Sequence, residues 1–313
     1  MSFFELENLK KYYNNASGLL HAVDDVTLSI EEGETLGVVG ESGCGKSTLG
    51  RASLRLVEPT SGKIRLMGAD IVSLSKKELK GMRTKMQMIF QDPYSSLDPR
   101  MSVIQLISEP FYVHGLHGNK KEVEARVDEL MNRVGLDSRF KNSYPHELDG
   151  GRRQRIGIAR ALTLDPDFIV CDEPVSALDI SIQAQILNLL QDLQEERKLT
   201  YMFITHDLSV VNHISNNICV MYLGRVVELC NSKELFSNTL HPYSQALLSA
   251  IPSVDVHNAK ERILLKGEVQ SPINPPDKCR FSPRCIYAAP ECFESEPKLR
   301  EVSQGHFVAC HKV

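Results

Sequence analysis

Apolar and polar positions alternate loosely from Phe3 to Leu9. They alternate more clearly from Ala22 to Ile30, through Val23, Val26, Leu28 and Ile30. Both stretches read as half-buried strands, with Gly18 in the loop between them. Thr35-Leu36-Gly37-Val38-Val39 is a short apolar run, and a helical-looking stretch, Leu49 to Leu56, follows soon after. Lys63 to Met67 predicts another strand, bounded by Pro59-Thr60-Ser61-Gly62 and Gly68. Met86 to Phe90 is a compact apolar strand ending at Gln91; the turn-rich Asp92-Pro93-Tyr94-Ser95-Ser96-Leu97-Asp98-Pro99 then breaks regular structure. Lys120 to Val134 places Val123, Val127, Leu130, Met131 and Val134 on one helical face, with Asn119 as N-cap. Arg153 to Leu162 predicts a second helix, Phe168 to Cys171 a buried strand, and Ile182, Ile186, Leu189, Leu190 and Leu193 a helical stripe before a strand at Tyr201 to Thr205. Strands alternating with helices predict an α/β fold with a parallel sheet covered by helices. The all-helical stretch between Gln91 and Asp165 predicts a lobe of its own.

Composition narrows the function classes. A chain of 313 residues suits one large domain, or one domain with an appendage. With 36 basic against 40 acidic residues the net charge is −4, so the basic excess expected of a nucleic-acid binder is missing. No run approaches the roughly 18 apolar residues of a membrane span. Met1-Ser2-Phe3-Phe4-Glu5 has neither the basic nor the apolar region of a signal peptide. A cytosolic protein is expected, linked to any membrane through a partner. The composition shifts near Asn238: Pro252, Pro272, Pro275, Pro276, Pro283, Pro290 and Pro297 crowd the tail, which also holds Cys279, Cys285, Cys292 and Cys310.

The chemistry centres on Gly40-Glu41-Ser42-Gly43-Cys44-Gly45-Lys46-Ser47-Thr48, which meets the phosphate-loop pattern G-x-x-x-x-G-K-[ST] at every fixed position. A strand precedes it and a helix follows, as the motif requires. The glycines let successive backbone N–H groups point inward at a polyanion, and the helix adds the positive end of its dipole. Lys46 would reach the β- and γ-phosphates and the Ser47 hydroxyl would ligate Mg²⁺. A hydrolase also needs acid at a strand end, and Phe168-Ile169-Val170-Cys171-Asp172-Glu173 supplies it. Asp172 can hold Mg²⁺ through its water shell, and Glu173 can serve as the base acting on the attacking water.

These motifs, with Gln91, Leu148-Asp149-Gly150-Gly151-Arg152, Ser176-Ala177-Leu178-Asp179 and Thr205-His206-Asp207 in order, make the chain resemble the ATP-binding subunit of an ABC transporter. The resemblance covers residues 3 to about 235. The tail narrows it: Leu240-His241-Pro242-Tyr243-Ser244-Gln245-Ala246-Leu247-Leu248 and Cys279-Arg280-Phe281-Ser282-Pro283-Arg284-Cys285 look like the C-terminal extension of oligopeptide, dipeptide and nickel importer ATPases. The implied fold is a P-loop NTPase (RecA-like) core with an antiparallel β subdomain, a helical subdomain at about 92–165 and an extension at 239–313. The implied function is ATP hydrolysis that energises peptide uptake, at the cytoplasmic face of the membrane. Implied partners are transmembrane permease subunits, a second ATPase (a paralogue, or a second copy) and, indirectly, an extracellular substrate-binding protein; no nucleic acid is implied.

Carried over by position, Lys46, Ser47 and Thr48 bind phosphates and Mg²⁺, and Tyr13, with Tyr12 as fallback, stacks on adenine. Gln91 contacts Mg²⁺ and the lytic water, and relays motion to the membrane subunit. His206 holds the γ-phosphate and positions Glu173, and Asp179 lies at the dimer interface. Asp149, Gly150 and Gly151 face the nucleotide of the opposite subunit. There the chain departs from the family's Leu-Ser-Gly-Gly-Gln, since Asp149 brings a carboxylate toward a triphosphate. Either the site is degenerate, or Asp149 is simply an N-cap, a role in which Asp equals Ser, with Arg152 to neutralise it.

The tail cysteines, spaced Cys279-x5-Cys285-x6-Cys292-x17-Cys310, lack the C-x-x-C pairs of ordinary zinc sites. Four thiolates can hold a [4Fe–4S] cluster, which members of this importer family carry at cysteines placed like these; zinc, disulfides and unconnected thiols are the alternatives. Cys44, Cys171, Cys219 and Cys230 read as small packing residues. Two other classes compete with a transport ATPase: a soluble ABC ATPase of DNA repair or translation, and an ATP-gated regulatory or redox-sensing subunit. The first usually carries a coiled-coil insertion or a second cassette, and neither is present. For the second, Glu173 and His206 argue against a complete loss of chemistry.

Overall fold

The computed structural model describes residues 2–116, 118–251, 262–267 and 270–313; Met1 and Pro252, named above, lie outside them. The chain divides into two compact units, residues 1–72 with 203–313, and residues 73–202.

The first unit begins with a hairpin of β1 (Phe4–Asn15) and β2 (Gly18–Ile30). Asn15 pairs with Gly18 across a two-residue turn, so Gly18 opens β2 and does not sit in the loop. A Cβ there would meet the Asn274 side chain at 2.2 Å, and its φ of +131° also favours glycine. After β3 (Thr35–Val39) and α1 (Lys46–Ser53), β4 (Ser61–Leu66) and β5 (Ala69–Asp70) complete an antiparallel sheet of order β2-β1-β4-β5. Phe4, Leu6, Leu9, Val23, Val26, Ile64 and Leu66 are buried beneath it. The inward residues skip along β1 because bulges interrupt its register against both neighbours.

The second unit carries α2 (Lys76–Met82), β6 (Met86–Ile89), α3 (Val103–His114), α4 (Lys120–Arg133), α5 (Gly150–Leu162), β7 (Phe168–Asp172) and α6 (Ile180–Arg197). β6 and β7 pair in parallel, Met86 opposite Phe168 and Ile89 opposite Cys171. Among the described residues between 92 and 165 the regular structure is helical, including two short 3-10 turns. Asn119 caps α4 in a reciprocal box with Glu122. Val123, Val127, Leu130 and Met131 form the buried stripe of α4.

β8 (Thr200–Ile204) runs from the second unit into the first. There follow α7 (Leu208–Ile214), β9 (Asn217–Tyr222), β10 (Arg225–Asn231), α8 (Ser232–Ser237), α9 (Pro242–Ser249), α10 (Glu291–Glu294), β11 (Arg300–Ser303) and β12 (His306–Val308). β3 pairs in parallel with β9, and β9, β10, β12 and β11 continue antiparallel in that order. The tail therefore closes back on the nucleotide-loop strand's own sheet. Fully buried Glu228 of β10 fastens it: one oxygen accepts the Leu240 N–H at 2.8 Å and lies 2.8 Å from His306 Nε2, and the other accepts the His241 N–H at 3.2 Å.

Candidate active site

β3 is buried along its whole length and delivers the chain into Gly40. The loop that follows has no room for side chains at two of its glycines. A Cβ on Gly40 would lie 2.2 Å from the Met221 carbonyl oxygen, and one on Gly45 would lie 1.9 Å from that of Ala22, at φ +104°. The helix α1 starts at Lys46, three residues before its apolar periodicity, because its first turn is made of Lys46, Ser47 and Thr48. Lys46 is buried, and its ammonium donates to the carbonyls of Gly40 at 2.7 Å and Glu41 at 3.1 Å, inside the loop. Ser42 and Gly43 are exposed, whereas Cys44 is buried, and burial raises its thiol pKa.

In the second unit, buried β7 ends on Asp172, itself fully buried. Glu173 follows with φ +46°, a left-handed conformation that turns the chain sharply at the strand end. Gln91, two residues past β6, donates from Nε2 to Glu173 Oε2 at 3.0 Å. Parallel pairing of β6 with β7 brings these two residues together, although 82 positions separate them. Asp179 is the N-cap residue of α6. His206, in the first unit, is exposed just beyond β8, where Thr205 Oγ1 accepts the Asp207 N–H at 3.1 Å.

Asp149 is the N-cap of α5, which starts at Gly150 and not at Arg153. Its Oδ1 accepts the Arg152 N–H at 2.8 Å, and its Oδ2 accepts from the Arg152 guanidinium at 2.5 Å. The same guanidinium lies 4.7 Å from the centre of the Phe140 ring. Gly151 allows close approach: a Cβ would come within 2.8 Å of Ile182. Of the two tyrosines, Tyr13 is 36% exposed, with Lys11 Nζ 4.7 Å from its ring centre. Tyr12 is committed elsewhere: its hydroxyl donates to Asp24 at 2.5 Å and its ring stacks on His21 at 3.9 Å.

The sequence reading missed a set of tail residues that reach the nucleotide loop. Arg284 forms a two-pronged pair with Glu41 at 2.6 and 3.1 Å, and the Tyr243 hydroxyl accepts the Glu41 N–H at 2.8 Å. Arg280 bonds Asp24, whose carboxylate also accepts from Tyr12 and faces His21 and Arg225. Burial alone would raise that carboxyl, but the Tyr12 and His21 bonds and the Arg225 and Arg280 charges hold it far below the usual range. The available signal was positional, since each arginine is adjacent to a tail cysteine.

Cys279, Cys285, Cys292 and Cys310 are free thiols. Burial pushes Cys279 up to about 11, against backbone N–H bonds from Phe281 and Ser282, with Cys292 and Cys310 adding to the rise. Cys310 Sγ accepts the Lys312 N–H at 3.4 Å. Burial raises both Cys285 and Cys310, with Cys310 and Cys292 adding to the rise of Cys285 and Cys292 to that of Cys310. The Cys279 backbone N–H donates to the Cys292 carbonyl at 3.1 Å, which brings those two residues together.

Residues 23–176 match the ABC transporter family model, and residues 227–292 match the oligopeptide/dipeptide transporter C-terminal region. The putative oligopeptide transport ATP-binding protein YkfD of Bacillus subtilis is 54% identical over 99% of this chain and 95% of its own. The oligopeptide transport ATP-binding protein OppF of Salmonella typhimurium is 51% identical over 99% and 93%. Among solved structures, the ATP-binding cassette MJ0796, dimeric in a post-hydrolysis state with ADP and Pi, superposes with TM-score 0.68 at 31% identity, covering 73% of this chain and 98% of that one. CbiO1 of Clostridium perfringens, part of the transporter complex cbiONQ, gives 0.66 at 32% identity over 76% and 91%. With the loop, the Asp172-Glu173 strand end and the tail all accounted for, the chain belongs to the ABC transporter ATP-binding proteins that carry the oligopeptide/dipeptide transporter C-terminal region.

Proposed function

We propose that this chain binds and hydrolyses ATP at the cytoplasmic face of the cell membrane and thereby drives peptide import through transmembrane permease subunits. It is an ATP hydrolase of an oligopeptide importer. The observation that carries the reading is Glu173, one residue beyond buried Asp172 and held at 3.0 Å by Gln91. Lys46, Ser47 and Thr48, with the backbone N–H groups of residues 40–45, would hold the phosphates, and Tyr13 the adenine. Ser47, Asp172 and Gln91 would hold Mg²⁺. Glu173 would take the proton of the attacking water, and His206 would meet the γ-phosphate. Phosphoryl transfer asks for positioning and charge stabilisation more than covalent work, so a carboxylate already oriented by a glutamine suits it.

Asp149, Gly150 and Gly151 would face ATP held by a second ATPase, a paralogue or another copy. Asp149 arrives there as a capped and paired carboxylate, which supports a working signature. A permease contact is supported by the apolar surface of the second unit, where Tyr94, Tyr112, Val113 and Leu116 are exposed. Among the described residues no helix is long and apolar enough to cross a membrane, in keeping with a peripheral subunit docked on such partners.

Cys279, Cys285, Cys292 and Cys310 would hold a [4Fe–4S] cluster; four free thiols, the Cys279 N–H bond to the Cys292 carbonyl and the Lys312 N–H bond to Cys310 Sγ support that reading. When bound it would supply a covalent staple for a proline-rich tail. The test is ATP turnover of anaerobically purified protein beside Glu173→Gln, with iron and zinc counted in the same sample. Turnover lost in Glu173→Gln, with iron present, is expected. No turnover, with or without membrane subunits, would overturn the hydrolase reading; zinc without iron would overturn the cluster.

A further inference from the structure

We propose that Arg284 and Arg280 are positioning residues that tie the four-cysteine segment to the nucleotide loop, so that the order of that segment sets the affinity for ATP. The proposal rests on the ATP-binding reading and goes beyond it by naming what controls the site.

The segment from Cys279 to Cys285 does not lie on the surface as an appendage. Phe281 and Ser282 are buried, and Phe281 meets Tyr222 edge-on at 5.2 Å and Tyr243 at 5.4 Å. Those tyrosines pack on one another at 4.7 Å. Both flanking arginines are more than nine-tenths buried at the side chain. Two buried guanidiniums require fixed acceptors, and the acceptors lie in and beside the nucleotide loop.

Arg284 acts directly. Its fork spans both oxygens of Glu41, the second residue of the loop. Tyr243 holds the same residue through its backbone N–H. Glu41 is therefore pinned at carboxylate and main chain, both times from the tail or the helix before it. Arg280 acts at one remove. It donates to the Leu223 carbonyl at 2.5 Å; the next residue, Gly224, donates its N–H to the Cys44 carbonyl at 2.8 Å. A second partner, Asp24, receives the hydroxyl of Tyr12, next to Tyr13, and a third, Glu296, lies 3.2 Å from the Arg280 Nε. Two residues, each bonded covalently to a cysteine of the set, thus brace the loop from two sides.

Charge gives the coupling its sign. Glu41 puts a carboxylate in a loop meant to receive a polyphosphate, and like charges at short range repel strongly where water is partly excluded. Arg284 cancels that carboxylate and fixes its direction. If the cysteine segment loses its order, Arg284 leaves, Glu41 is unmasked, and the loop loses both its shape and its electrostatic neutrality.

The experiment measures the dissociation constant of a fluorescent ATP analogue for the full chain, purified anaerobically, with melting temperature followed in parallel. Arg284→Gln is expected to weaken binding about 10- to 100-fold, the scale on which loss of an orienting partner is felt. Arg284→Lys, which keeps the charge and loses the fork, should fall between. Removing the carboxylate as well, in Glu41→Gln with Arg284→Gln, should recover much of the loss. A purely structural role would not produce that recovery. Cys285→Ser should weaken binding in the wild-type background and add nothing in the Arg284→Gln background. Where Cys285→Ser does not fold, Glu41→Gln with Arg284→Gln and Arg284→Lys still decide the matter. Unchanged affinity in Arg284→Gln, or no recovery on removing Glu41, overturns the proposal. Failure of the wild-type chain to bind the analogue would instead sink the ATP-site reading beneath it.

Discussion

Arg152 offers the sharpest test of how this chain tolerates an acidic signature. The Asp149–Arg152 pair is half-exposed, at 58% and 42% of the side chains, so without nucleotide it contributes only a few tenths of a kcal/mol, ~0.3–0.5 for such spacing on a helix. Asp149→Ser keeps an equally good cap for α5 and should alter stability by less than about 1 kcal/mol. Nucleotide changes the balance. In the proposed dimer, a bare carboxylate about 4 Å from a phosphate costs on the order of 4 kcal/mol per charge pair at an effective dielectric of 20.

The guanidinium on Oδ2 cancels most of that repulsion, because carboxylate and cation approach the phosphate together. Taking half the Coulomb figure after screening, Arg152→Ala should lose about 2 kcal/mol of closure, or about 30-fold in turnover. Asp149→Ser should stay within about threefold of the wild type, and Asp149→Ser with Arg152→Ala should recover most of the loss. Steady-state ATP turnover reads the effect, and ATP-driven dimerisation in a Glu173→Gln background reads closure alone. Raising ionic strength should shrink the Arg152→Ala defect. If Arg152→Ala matches the wild type, or Asp149→Ser is more than about tenfold faster, the compensation argument is wrong and the signature is degenerate after all.

Three further outcomes follow from the same geometry. Gly45→Ala should abolish binding of a fluorescent ATP analogue, because its Cβ would lie 1.9 Å from the Ala22 carbonyl at φ +104°; retained affinity would mean the loop can shift there. Glu228→Ala should cost about 3 kcal/mol or more in denaturant unfolding, since it orphans the buried His241 N–H, the part-buried Leu240 N–H and buried His306; a loss under about 1 kcal/mol would refute its role as fastener. Burial lowers His241 to about 3, and its Nδ1 accepts the Tyr243 N–H, which requires the neutral ring. The folded pKa lies below the unfolded value near 6.5, so this group's contribution is complete above that pH and is lost as pH falls from there toward 3, by up to about 1.4 kcal/mol per unit. His241→Asn, which can still cap α9 without titrating, should flatten the pH dependence of stability between about 6.5 and 4; an unchanged slope would show the ring is not the source.

The parts of the site that could be read from the sequence are those whose chemistry is a local demand on the backbone. The nucleotide loop needs glycines within a few residues of each other, and Glu173 needs a buried strand directly before it. Hydrophobic periodicity misplaced two helix starts for one common reason. The first turns of α1 and α5 consist of Lys46-Ser47-Thr48 and Gly150-Gly151-Arg152, which offer no apolar face for periodicity to detect. Asp149 could be read as a cap or as a repulsive charge; the structure shows it capping α5 and paired with the Arg152 guanidinium, a contact that periodicity does not reveal. Arg284 and Glu41 lie 243 positions apart, and Tyr243 and Glu41 lie 202 apart. A pair at such separation leaves no period and no spacing in one sequence, because its partners are chosen by the sheet that returns the tail to β10. The visible trace was two arginines beside two cysteines, and a buried guanidinium must find an anion. What the sequence could not say was that one of those anions is Glu41, in the glycine-rich loop after β3.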